Sequence, residues 1–203
     1  KAYDLVTSEI ISYAPKAPTY TTSNEKNTYV ISNPGHLAWI SQQLQDEEGF
    51  AGHTFILAND IDLMLYPFTP IGGFDYNTDI AITDKQITYN NNGEHIYAGE
   101  RYFSGTFDGK GYKIKNLNVL PKVNGNIIYH ATENNEYNGL FGVVRNGHIK
   151  NLTVEGGFVK GGWDTGALAG YVASTSSKAA TVTNCYSNVT VFAPGGNDKG
   201  ASK

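Results

Sequence analysis

From Phe103 onward the chain repeats itself in short β-prone pieces, and no other feature restricts its possible folds as much. Gly105-Thr106-Phe107-Asp108 aligns with Gly139-Leu140-Phe141-Gly142, and Ile114-Lys115-Asn116-Leu117-Asn118-Val119 with Ile149-Lys150-Asn151-Leu152-Thr153-Val154, an offset of about 34 residues. A looser third copy follows, in which residues 167–172 answer 139–144 and residues 182–189 answer the Ile149 segment. Each copy holds two short β-prone pieces joined by Gly or Asn turns. Pieces this short cannot bury a face alone, so successive copies must stack and share one interior. The expectation is an all-β chain folded as a parallel β-helix, a solenoid.

Within each copy apolar side chains alternate inward: Ile114, Leu117 and Val119; Ile149, Leu152 and Val154. Asn116, Asn151 and Asn184 recur between them. Asn tolerates the left-handed backbone of a sharp corner, so the three are expected to stack as one ladder, each bonding its neighbour or the backbone. Gly109, Gly111, Gly142, Gly147 and Gly170 are assigned to the other corners.

Upstream of the repeats, residues 1–28 mix Pro15, Pro18 and a polar run and read as a leader or linker. Asn33-Pro34-Gly35-His36-Leu37-Ala38-Trp39-Ile40 begins a helix placed at about residues 33–48. Asn33 is its N-cap, Pro34 its first helical position, and Leu37, Ile40 and Leu44 its apolar face, with Gly49 expected to end it. A helix here would cap the N-terminal end of the solenoid, with Trp39 covering a sheet edge otherwise prone to aggregation. Phe55, Leu57, Ile61 and Leu63 then mark a strand bent at Asn59-Asp60. Residues 29–203 are thus expected to be one domain, with rungs over about 54–192.

Composition narrows the function. The chain has 203 residues, only 17% of them charged, and a formal net charge of −4, which gives no footprint for nucleic acid. No apolar run reaches the roughly 18 to 20 residues that span a bilayer, so no membrane insertion is expected in this segment. One cysteine, Cys185, allows neither a disulfide nor a Cys-based metal cluster within the chain, and it reads as a small core residue. Abundant Gly and Tyr, with 23 and 14 residues, fit a secreted β protein with tight turns.

These motifs resemble the GLUG-motif family of bacterial surface proteins. The resemblance rests on Leu57-Ala58-Asn59-Asp60-Ile61-Asp62-Leu63 after a helix, Pro70-Ile71-Gly72, the segment from Phe103 to Gly111, and Gly139-Leu140-Phe141-Gly142 with its Ile-x-Asn-Leu-x-Val partner. It covers roughly residues 29 to 192 and implies a right-handed parallel β-helix capped at its N-terminal end. It also implies a non-catalytic, extracellular or cell-surface module that takes part in adhesion or ligand binding. The partner would be a host or bacterial surface glycan or protein. Two stretches depart from the plain pattern, residues 73–101 and 121–137, and insertions between rungs project from one face of a solenoid, where binding loops are carried.

The candidate ligand-binding residues are the aromatics in or beside these insertions: Tyr76, Tyr89, Tyr97, Tyr102, Tyr129 and Tyr137. Exposed rings next to Asn and acidic groups can stack on sugars or peptide; the alternative is that they pack the insertions against the solenoid. Asp60, Asp62 and Asp108, with Asp75 and Asp79, could converge on Ca²⁺ or form a carboxylate pair, but Asx side chains more often bond their own turns. His36, His53, His95, His130 and His148 lack the spacing of paired metal ligands. No cofactor or metal is therefore expected, and no catalytic residue. The alternatives are a glycan-active β-helix lyase or hydrolase, which would need two carboxylates, or a carboxylate with Lys or Arg, converging in a groove, and a spacer fragment of a larger surface protein. The sequons at Asn151 and Asn188 lie in core rungs, where a glycan would clash.

Overall fold

The computed structural model describes residues 14–21, 27–44, 49–74, 87–89, 95–97, 100–120, 122–123, 126–127 and 137–193. Strands dominate it, and most of their pairing is parallel. They assemble in three rows. The first is a six-stranded sheet in which Thr28–Ile31, Thr54–Leu57, Thr106–Asp108, His148–Lys150 and Thr181–Thr183 lie side by side in parallel. The second sets Ile61–Asp62, Lys113–Val119, Thr153–Lys160 and Tyr186–Phe192 in parallel order. The third pairs Phe141–Arg145 with Ala169–Ala173, extended by single bridges from Ile71 to Phe141 and from Phe103 to Val144. Successive passes of the chain visit the rows in the same order, so each strand's neighbours come from the passes before and after it.

The strands are three to eight residues long in the repeated part, and the register files like residues together. Tyr29, Phe55, Phe107, Ile149 and Val182 form one file, and Ile61, Ile114, Val154 and Ser187 another. Between the rows Phe55, Phe103, Phe141 and Phe107 meet ring to ring at 5.3–5.6 Å, fully buried. Packing along the stack supplies the burial that no single strand could.

The pairing corrects the repeat alignment. Ile114 lies beside Val154, not Ile149, and Ile149 lies between Phe107 and Val182. Phe107 belongs to the first row and Phe141 to the third, so their rings touch across the core but do not share a file. The two Ile-Lys-Asn-Leu words recur because both need a left-handed Asn, with φ of 56° at Asn116 and 53° at Asn151. The same local conformation serves a break inside the second row in one pass and the corner between rows in the next. The match of 167–172 to 139–144, and of 182–189 to the Ile149 segment, is the one the strands adopt: Phe141 pairs with Ala169 and Ile149 with Val182.

The single Asn ladder is likewise corrected to two. Asn184 Nδ2 donates to Asn151 Oδ1 at 2.8 Å, and Asn151 Nδ2 donates to Asp108 Oδ1 at 3.0 Å. Asn116 stands apart and donates to Asp62 Oδ1 at 2.8 Å. Of the corner glycines only Gly111 takes positive φ, at 83°, whereas Gly142 is needed for close approach: a Cβ there would lie 2.8 Å from the Tyr137 carbonyl oxygen.

The helix spans Pro34–Gln43, with the Asn33 side chain accepting from the His36 N–H at 3.1 Å. It ends with Leu44 as its C-cap residue, earlier than the expected stop at Gly49. Leu37, Ile40 and Leu44 join the same core as Ile31 and Phe55. Trp39 is partly buried, its ring 5.4 Å from Tyr29 and 6.0 Å from Phe50. The stretch read as leader or linker contributes Thr19–Thr21, antiparallel to Thr28–Ile31 at the edge of the first row. The bend at Asn59-Asp60 divides Thr54–Leu57 from Ile61–Asp62, which lie in different rows, and Asn59 Nδ2 donates to the carbonyls of Ser32 and Asp60.

Truncating a ring at the meeting point of two rows leaves a cavity that neighbouring passes cannot fill. Phe107→Ala is expected to cost about 3–5 kcal/mol in equilibrium chemical denaturation, against less than about 0.5 kcal/mol for Tyr112→Ala on the surface.

Candidate functional site

The two stretches that depart from the repeat leave the parallel rows as antiparallel excursions. Gly73–Phe74 pairs with Glu100–Arg101 at the base of the first, and Ile87–Tyr89 pairs with His95–Tyr97 farther along it. The second contains the antiparallel pair Lys122–Val123 and Asn126–Ile127. Tyr89 and Tyr97 are therefore strand residues of one hairpin, paired as Tyr89 with His95 and Ile87 with Tyr97. Tyr76 and Tyr129 lie outside the described residues.

The remaining two candidates are packed against neighbouring side chains. Tyr137 is 6% exposed, and its ring meets Tyr171 edge-on at 5.6 Å. Tyr102 is half-buried beneath Arg145, whose guanidinium carbon lies 5.6 Å from the ring centroid. Both lie where an excursion rejoins the stack. There the chain turns back toward the core and carries its flanking rings inward.

The first excursion is fastened by an ion pair. Arg145 Nη2 lies 2.6 Å from Glu100 Oε1, with side-chain exposures of 9% and 1%. Such a pair is held only because each partner compensates the other's lost hydration, so removing one leaves a buried charge. Glu100→Ala should cost about 3–5 kcal/mol in denaturation, and Gly73–Phe74 and Glu100–Arg101 should lose amide-exchange protection before the rows do.

The acidic side chains shape corners. Asp62 accepts from the Met64 N–H and from Asn116, and these bonds hold its carboxyl below the ordinary range. Asp60 is held low chiefly by Lys115, 2.7 Å away, and also by the Lys113 N–H. Lys113 in turn meets Glu155 at 2.8 Å. Lys and carboxylate do converge here, on the outer face of the second row, but each stabilises the ionised form of the other: Asp60 and Glu155 are lowered and Lys115 is raised. A general acid needs the opposite, a carboxyl kept protonated. Asp75 and Asp79 lie outside the described residues, and among the described residues no group of three or more His, Cys, Asp or Glu side chains could hold a metal ion.

His36, His53, His148 and the cysteine are also taken up by packing. His36 is buried on the helix, with its ring nitrogens against the Ser32 N–H and Asn33, and burial lowers its pKa. His148 Nδ1 lies 2.9 Å from Thr181 Oγ1. His53 lies against the Tyr29 ring at 5.8 Å; His95 is in the hairpin and His130 lies outside the described residues. Cys185 packs against the core, and burial pushes its thiol pKa up, away from a reactive thiolate.

Several exposed apolar side chains were not singled out from the sequence. Met64, Leu65 and Tyr66 project from a turn in which Met64 and Leu65 have φ of 49° and 60°. Trp163, Tyr186 and Phe192 are also exposed. The Gly161-Gly162-Trp163 sequence was the available signal for Trp163, since a Trp beside two glycines has little chain around it to bury it.

Asp108 sits at the head of the longer ladder. Burial alone would raise its pKa, but bonds from Asn151 and the Lys110 N–H, with Lys110 and Lys150 nearby, hold it below the ordinary value. A carboxyl lowered on folding contributes stability that is complete above its unfolded pKa and lost as pH falls through the folded one. Denaturation measured from about pH 7 to about pH 3 should therefore show a shallower loss of stability for Asp108→Asn than for the native chain. No family model, curated protein or solved structure matches the chain.

Proposed function

We propose that this chain is a right-handed parallel β-helix module of a bacterial surface protein of the GLUG-motif type, with the helix Pro34–Gln43 covering its N-terminal end. It works outside the cell and without catalysis, as an adhesion or ligand-binding segment. The stacked passes supply a rigid shaft, and the two excursions supply the contact surface for a glycan or protein of a host or neighbouring bacterium.

One observation carries this reading: both departures from the repeat are antiparallel pairs set on a base of parallel rows. Parallel rows are stiff because every pass is hydrogen-bonded to the next, and connections that leave such a scaffold are where binding surfaces are commonly carried. The Glu100–Arg145 pair fastens the first root. The sparse charge of the chain supports a neutral partner such as a glycan or a protein surface, not nucleic acid.

The test is binding of the purified chain to arrayed glycans and extracellular-matrix proteins, beside Tyr89→Ala/Tyr97→Ala. The expected outcome is binding by the native chain and at least tenfold weaker binding by the variant, equivalent to about 1.4 kcal/mol, with an unchanged melting temperature. Equal binding by both would move the contact surface off the first excursion, and no binding by either would sink the adhesion reading.

A further inference from the structure

At Thr28–Ile31 the first row meets a strand of the opposite direction. Thr19–Thr21 lies antiparallel to it, with Thr19 opposite Val30, Tyr20 opposite Tyr29 and Thr21 opposite Thr28. The strands from Thr28–Ile31 to Thr181–Thr183 all run parallel to one another. The edge beneath the reversed strand, Thr28-Tyr29-Val30-Ile31, is uncharged and built from β-branched and aromatic residues. Left open, an edge of this kind templates pairing with another chain.

The covering segment is poorly suited to pass that pairing on. Its strand is three residues long and follows Pro15, Lys16 and Pro18. Proline has no N–H to offer a further strand, and short edges bearing Lys and Pro resist addition. The segment is fastened from within: Pro18 is buried, the Tyr20 ring lies 4.7 Å from that of Tyr29, and the Tyr20 hydroxyl donates to Asn27 Oδ1. Before the strand, the Lys16 N–H donates to the Gly35 carbonyl at 3.0 Å, where the chain crosses the first turn of the helix.

That crossing accounts for a residue the helix by itself disfavours. Gly35 is the second residue of Pro34–Gln43, and glycine is among the poorest helix formers. Its φ is not among the positive values that reserve a position for glycine. Space is what requires it: a Cβ at Gly35 would lie 2.8 Å from the Ala14 carbonyl oxygen, with Asn33 Oδ1 at 3.2 Å and Lys16 Cβ at 3.3 Å. Two of these three atoms belong to the crossing segment.

We propose that residues 14–21 are a strap that prevents self-association: seated over Gly35 and paired with Thr28–Ile31, it keeps the first row from joining the same edge of a second copy of the chain. A second copy is the partner held off because Thr28-Tyr29-Val30-Ile31 carries no charge to repel its own antiparallel counterpart. This inference is independent of any adhesive role for the excursions.

The experiment compares the full native chain with two variants. Gly35→Ala lifts the strap at its crossing, and Tyr20→Ala removes the ring and hydroxyl that hold it farther along. Amide exchange is followed together with light scattering on the size-separated chain over a dilution series. In both variants exchange at Thr28–Ile31 should quicken by about tenfold or more while the Lys113–Val119 amides keep their native rates. Their mass should also climb above the native value as concentration rises. A helix indifferent to the strap predicts the opposite for Gly35→Ala, native exchange at Thr28–Ile31 and a higher melting temperature, and that result would overturn the proposal. Native exchange in Tyr20→Ala would overturn it too, as would quickened exchange with a mass that stays native at every concentration, or a native chain whose mass climbs as the variants' does. Should Gly35→Ala unfold the whole chain, Tyr20→Ala decides by the same criteria.

Discussion

Parallel, in-register hydrogen bonding between successive passes is the constraint on which the rest of the structure depends. Strands such as Thr106–Asp108 and His148–Lys150 are three residues long, too short to persist alone, and each is held between a strand from the preceding pass and one from the following pass. Register then decides composition. Once Phe107 is fixed beside Phe55 and Ile149, the inward positions of all three passes become one file that must be apolar, and the outward positions become rows where charges of successive passes face each other.

That arrangement explains where the polar chemistry of the chain has gone. The carboxylates of Asp60, Asp62 and Asp108 lie beside backbone N–H groups and Asn or Lys side chains that keep them ionised, which turns them into corner braces. Mutual neutralisation also lets a row carry Lys113, Lys115 and Glu155 without self-repulsion. The parallel pattern is interrupted at the excursions, where the described strands pair antiparallel instead.

The strand-rich class, the N-capped helix at Asn33-Pro34 and the buried positions Phe55, Leu57, Ile61 and Leu63 were legible in the sequence, because each rests on local pattern or on capping chemistry. The register was legible only in the later copies. Between the earlier ones the corner through Gly109-Lys110-Gly111-Tyr112 lengthens one pass, so identical words fall in different rows, and a left-handed Asn looks the same in sequence whether it ends a row or interrupts one. Which of the two readings held for Tyr102 and Tyr137, stacking surface or packed ring, was not legible, since their packing arises from partners as distant as Arg145 and Tyr171. The ion pair between Glu100 and Arg145 was hidden for the same reason.

The ladder from Asn184 through Asn151 to Asp108 runs one way: each amide gives its hydrogen toward the preceding pass, and the series ends on a carboxylate, which can only accept. The passes are therefore not interchangeable parts. Exchanging the Asp108 corner with the Asn184 corner would keep every apolar file and every strand length, yet Asn151 would then have to donate toward the other end of the stack and the carboxylate would end the opposite side. The order of the passes along the axis is thus written into donor and acceptor chemistry at one corner, a form of sequence-encoded polarity separate from the hydrophobic pattern that builds the stack.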